Sequence, residues 1–362
     1  MTEADHYRLE RYKDAGQSLP LRTYYRVRPL LPRPLQLALR RGYTKRQGRR
    51  EFPGWPIEDV LVRMRDDELR ERLRSTGAES VPLVGHWPDG HRFAWVLTHD
   101  VEGPAGVEHI PAVRALEARY GLVSSWNFCA EQYPIPEGLF DRLREEGCEI
   151  GLHGIDHRGR LFASRERFEA DLPAIHRYMR EWGADGFRSP ALHRVADWMP
   201  ELACSYDTSF PDTDPYEPQP GGCCSIRPFF NGDLVELPVT LAQDHTLFEI
   251  LGREDIGVWT EKSAWLAEQG GLVNVIIHPD YMLSPERMGL YEELLRFLGG
   301  LEGGWHALPR DVAAWWRVRD GLRIEGEGAA ARVAGPGAER ATVFLARERD
   351  GAIAVEPAAQ PT

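Results

Sequence analysis

No stretch of the 362 residues is apolar for long enough to cross a bilayer. The opening Met1-Thr2-Glu3-Ala4-Asp5-His6 is polar and acidic, without the apolar core of a secretory signal. Cysteine is sparse. The five residues Cys129, Cys148, Cys204, Cys223 and Cys224 are odd in number and have no C-x-x-C spacing, which favours free thiols in a reducing compartment over a disulfide framework. There is no internal repeat and no phosphate-binding glycine loop. A net charge of −12 argues against nucleic acid as a partner. These absences predict a cytoplasmic protein. What is present, 42% hydrophobic residues and 11 tryptophans, suits a globular chain with a sizeable core.

The chemistry centres on Glu149-Ile150-Gly151-Leu152-His153-Gly154-Ile155-Asp156-His157. A short apolar strand ends at His153, and a second imidazole follows four residues later across a glycine. Imidazole is the commonest protein ligand for zinc-like ions, although an H-x-x-x-H pair alone is weak evidence. Upstream, Trp95-Val96-Leu97-Thr98-His99-Asp100-Val101-Glu102 is an apolar run that stops in two carboxylates two residues apart, a spacing that shares a strand face. Carboxylates at the C-terminal end of a parallel strand are how α/β barrels build active sites. Two histidines and a carboxylate with an open position make a catalytic rather than a structural metal site.

Taken in order, residues 1–92 form an N-terminal basic and helical arm. Ten Lys/Arg and no Asp/Glu lie between Arg22 and Arg50, leaving the rest of the chain at −22. A helix with its core at Pro34–Arg41 is expected there, and a second over Glu58–Arg74. The expected packing is back onto acidic barrel surface; contact with an anionic membrane or glycan surface is the less favoured alternative.

Residues 93–319 alternate strand and helix, which argues for a parallel, barrel-like α/β sheet. Strands are expected at Ala94–His99, Leu122–Phe128, up to His153, Gly186–Arg188, Leu234–Pro238 and Leu272–His278. Helices are expected at Ile110–Tyr120, Glu137–Glu146, Arg165–Trp182, Val195–Cys204, Val258–Glu268, Pro285–Leu298 and Pro309–Val318. Pro211–Gly232 is predicted to be a long loop over the site. Residues 320–362 are expected to form a small β appendage with a disordered tail from Glu356.

Three further strand ends carry polar residues. Arg188 precedes Ser189-Pro190 and can hold a carboxylate in a fixed orientation. Asp207 ends the next strand, and His278 ends the apolar run Asn274–Ile277. Together, Thr98-His99-Asp100-Val101-Glu102, His153-Gly154-Ile155-Asp156-His157, Arg188-Ser189-Pro190 and Ile277-His278 resemble, in order, the motifs of the polysaccharide deacetylase (NodB-homology) family, with Asp207 a looser match. The family's adjacent aspartates are replaced here by Asp100-Val101-Glu102.

The resemblance, over roughly residues 93–317, implies a distorted (β/α) barrel with fewer than eight full repeats. It also implies Zn²⁺, or another divalent metal such as Co²⁺, held by Glu102, His153 and His157. Asp100 would be the base, Arg188 its positioning partner, His278 the acid and Asp207 a partner of His278. The implied activity is hydrolysis of N- or O-acetyl groups on a glycan or glycan precursor, amide C–N bonds included. A cyclic amidase or formamidase, or a catalytically silent glycan binder, are the alternatives. Trp126, Tyr206, Trp305 and His306 are candidates for sugar stacking.

Overall fold

The computed structural model describes residues 2–13, 32–48 and 51–358. Helices α1 (Glu3–Arg8), α2 (Arg33–Gln47) and α3 (Val60–Thr76) and strand β1 (Val81–Val84) precede the barrel. Its first half comprises β2 (Phe93–Val101), α4 (Pro104–Arg119), β3 (Ser125–Phe128), α5 (Leu139–Glu145), β4 (Glu149–Leu152), α6 (Arg165–Trp182) and β5 (Gly186–Phe187). Its second half comprises β6 (Tyr206–Asp207), β7 (Phe229–Asn231), β8 (Leu234–Glu236), α7 (Gly257–Gln269), β9 (Leu272–Ile277), α8 (Pro285–Gly299), β10 (Gly304–His306) and α9 (Pro309–Asp320).

Every residue of β2 is buried, because both faces of a parallel strand are covered. Phe93, Trp95, Leu97 and Val101 pack outward against the helices. Ala94 and Val96 point the other way, into a cluster with Tyr206, Val235, Leu237 and Leu272. Seven parallel strands run in the order β9-β2-β3-β4-β5-β6-β8, with β10 beside the start of β2 and β7 antiparallel on β8. The ring closes sparingly. Thr240 Oγ1 donates to the Leu272 carbonyl at 2.6 Å, and the Leu241 amide donates to Asn274 at 3.3 Å. The fold is therefore the distorted (β/α) barrel that was expected.

Several elements depart from expectation for local reasons. Helix α4 begins at Pro104, six residues early, because proline is tolerated where no helical N–H partner exists and Asp280 accepts the amides of Glu102 and Gly106. The helix expected over Val195–Cys204 reduces to one 3-10 turn, Met199–Leu202, ended by left-handed Ala203. The segment expected as loop is tethered throughout its length: Asp212 pairs with Lys262 at 2.8 Å in the interior, and its last residues form β7.

The segment just before the barrel pairs with the one after it. Strands β11 (Arg323–Glu325) and β12 (Arg332–Ala334) form a hairpin; β13 (Val343–Arg349) and β14 (Ala352–Pro357) join β1 in an antiparallel sheet, β1-β13-β14. Leu69 and Leu73 of α3 cover it, against Val81 and Ala346. The tail expected from Glu356 is thus strand through Pro357, and residues 359–362 lie outside the described residues. Helix α2 contains the expected helix core, whereas Arg22–Leu31 lie outside the described residues.

Candidate active site

The site lies where β2, β4, β5 and β9 end. Because successive strand residues alternate faces, Thr98 and Asp100 follow Ala94 and Val96 into the barrel interior while His99 turns outward to Glu117. Arg188 crosses that interior with no exposure at all. Its Nη1 reaches Thr98 Oγ1 at 2.8 Å and Asp100 Oδ1 at 3.0 Å, while Nε and Nη2 bond the carbonyl and Oγ1 of Thr208. Asn127, in register with Asp100 on β3, donates to the same Oδ1 at 2.9 Å. Gly151 makes room for this amide, since a Cβ there would lie 2.1 Å from Asn127 Oδ1. Burial works to raise the Asp100 pKa, but Arg188, with His153 and His278, outweighs it and brings the group down to about 2.

Next to this carboxylate stand Glu102, His153 and His157, whose ligand atoms all lie within 4.8 Å of one another. Gly154 permits the turn between the histidines: its φ is +68°, and a Cβ would meet Pro190 Cδ at 2.9 Å. His153 Nδ1 lies 3.1 Å from the Arg188 carbonyl, so the proton sits on Nδ1 and the lone pair on Nε2. That Nε2 is buried without a hydrogen-bond partner. Burial lowers the His153 pKa to about 4, which keeps the ring neutral. His157 Nε2 is 2.8 Å from Glu102 Oε1, and Tyr281 donates to Glu102 Oε2 at 3.0 Å. A neutral, pre-oriented imidazole with an orphaned nitrogen, beside a second histidine and a carboxylate, fits a divalent metal.

His278 completes the site. Its Nε2 is 3.6 Å from Glu102 Oε1, and its Nδ1 is 2.5 Å from Asp244 Oδ1. The backbone amide of His278 binds the other oxygen of Asp244 at 2.9 Å. Burial disfavours the imidazolium, yet Asp244 raises the His278 pKa to about 10; a cation held by Glu102 would bring it down again.

Six of the seven expected site residues thus gather in one place: Asp100, Glu102, His153, His157, Arg188 and His278. Asp207 does not serve His278. Its carboxylate accepts from the Ser209 amide at 2.8 Å and hydroxyl at 2.7 Å, and it lies in register with Glu236 on β8. Asp244 takes the role instead. It lies in a stretch with no strand or helix periodicity, immediately before a π-helical turn, His245–Ile250. Asn127 also went unforeseen; the available signal was an amide inside a fully buried apolar strand.

The aromatic candidates for stacking belong to the core. Trp126 stacks on His99 at 4.2 Å, and Tyr206 donates to Glu149 at 2.7 Å. Trp305 packs on Trp87, and His306 packs on Trp95 beside the start of β2, at the opposite end of the barrel.

No family model and no curated protein matches the sequence. Solved structures do match. A protein from Mycobacterium smegmatis assigned as a polysaccharide deacetylase superposes with a TM-score of 0.51 at 17% identity, over 67% of this chain and 96% of that one. Puue allantoinase gives 0.49 at 15%, over 66% and 94%. A protein from Pseudomonas aeruginosa PAO1, also assigned as a polysaccharide deacetylase, gives 0.49 at 16%, over 64% and 93%. The first of these shows that the barrel has the polysaccharide-deacetylase fold.

Proposed function

We propose that this protein is a metal-dependent hydrolase that removes acetyl groups from a glycan or glycan precursor. The observation that carries this reading is the convergence in one place of an ionised Asp100, an unbonded His153 Nε2 and a His278 locked to Asp244. The shared fold supports acetylated glycans as the substrate class. A divalent ion, Zn²⁺ or Co²⁺, on Glu102, His153 and His157 would polarise an acyl carbonyl and lower the pKa of a water.

The chain's own residues divide the proton traffic. Both bonds to Asp100 go to Oδ1, so Oδ2 is the oxygen that accepts a proton from the attacking water. Arg188 keeps the buried carboxylate ionised and aimed. His278 carries a proton on Nε2 toward the site and hands it to the departing amine or alcohol. Asp244 holds the Nδ1 side and stabilises the imidazolium.

The test is product analysis on N-acetylated and O-acetylated oligosaccharides, a cyclic amide and a formamide. The expected result is acetate release that disappears in Asp100→Asn. Ammonia or formate release without acetate would make it an amidase of another kind, and bound metal without any turnover would make it a binder.

A further inference from the structure

Helix α2 has two dissimilar faces. One is fastened to the barrel: Arg40 donates to the Tyr216 carbonyl, Arg41 to the Glu249 carbonyl at 2.9 Å, and Gln47 to the Glu217 carbonyl at 3.1 Å. Leu35, Leu39 and Tyr43 recur every four residues on the other face and are 45, 50 and 49% exposed. The helix lies within the run of ten cations and no anions between Arg22 and Arg50, on a chain of net charge −12. An apolar stripe inside a cationic, acid-free segment is the composition of a helix that lies in the plane of an anionic membrane surface.

We infer that the outer face of α2 docks on an anionic lipid surface. Charge complementarity selects this occupant over a second copy. A two-fold dimer through the stripe would set one cationic segment against another, and the three exposed apolar side chains found among the described residues of the helix fall well short of the roughly 800 Å² per partner of a stable protein interface. Three side chains are enough, however, for shallow insertion among headgroups.

A short chain of contacts links the inner face of the helix to the active site. Its helix packs on the turn His245–Ile250, which directly follows Asp244. His245 in turn packs on Tyr281, whose hydroxyl reaches Glu102. Leu283, two residues beyond Tyr281, is also exposed. Docking of α2 therefore places lipid on the side of the barrel where Tyr281 and Glu102 meet. This inference concerns the surface and stands whichever acyl group the site removes.

The experiment is co-sedimentation of the full chain with phosphatidylcholine vesicles, with and without roughly 30% phosphatidylserine, at low and high salt. Binding only to the anionic vesicles, weakening as salt shortens the electrostatic range, is expected. Leu39→Asp should lower that binding about tenfold or more, because an inserted apolar side chain is replaced by an anion. The side chain is exposed, so the denaturation midpoint should not move. No binding of the wild-type chain at low salt overturns the inference. So does undiminished binding of Leu39→Asp, or a dimer in sedimentation equilibrium that Leu39→Asp dissociates.

Discussion

Two pairs of carboxylates lie in the interior of the same barrel, and they are treated in opposite ways. Asp100 and Glu102 sit at the end of β2 among Arg188, His153, His157 and His278. Asp207 and Glu236 face each other across β6 and β8, with Ser209 and Asn231 as their hydrogen-bonding neighbours. Burial pushes all four toward protonation. Arg188 at Asp100 and the histidines at Glu102 reverse the push, bringing Asp100 to about 2 and Glu102 well below its ordinary value. At the second pair burial wins, and Glu236 rises further because Asp207 is beside it. Carboxylates sharing one buried site hold a proton between them. Burial alone therefore does not make a base or a ligand; the guanidinium of Arg188 and the ring of imidazoles do.

The most drastic way to erase this difference is Arg188→Met. Without its cation Asp100 becomes a buried, unpaired carboxylate, and its pKa rises. Removing one partner of a buried pair costs about 3–5 kcal/mol, so urea denaturation should show a loss of that size. Acetate release should fall by roughly a thousandfold, as expected when a positioned proton acceptor is disabled. His153→Ala or His157→Ala strikes the same pair through its neighbours. Each leaves two ligands, and elemental analysis after dialysis should find the metal gone in both. Full occupancy in either would remove that histidine from the ligand set.

The smallest expected effect is on the other pair. The folded pKa of Glu236 lies above its ordinary 4.5, so above that pH the folded chain binds more protons than the unfolded one. The stability this contributes is fully present below about 4.5 and is lost as pH rises through the folded value. Glu236→Gln removes that loss, and its amide can donate to an ionised Asp207. Denaturation between pH 5 and 8 should show a flatter pH dependence in the variant, by up to about 1.4 kcal/mol per pH unit, with acetate release little changed.

How much of this was legible in the sequence follows from the range of the interactions. Asp100, His153, Arg188 and His278 were visible because a buried parallel strand is a run of apolar residues and its polar end stands out. The spacing of two between Asp100 and Glu102 carried over directly into geometry. Asp244 was hidden because 34 positions separate it from His278 and nothing periodic surrounds it. Asp207 misled for the complementary reason: it does end a strand, but its partner is set by register with Glu236 on β8. The sheet β1-β13-β14 pairs Val81 with Ala346, a contact that no local pattern encodes. Trp126 and Tyr206 were sorted by strand alternation, which depends on knowing which face is the interior.

The division of labour between the neighbouring carboxylates is the central claim, and one paired measurement addresses it. Asp100→Asn and Glu102→Gln are purified in parallel, and bound metal per chain is determined beside acetate release. Asp100→Asn should retain the metal while losing turnover, because an amide cannot accept a proton. Glu102→Gln should bind the metal more weakly, because a charged ligand is lost. Loss of metal from Asp100→Asn with full retention in Glu102→Gln would contradict the account, making Asp100 the ligand and Glu102 the proton acceptor.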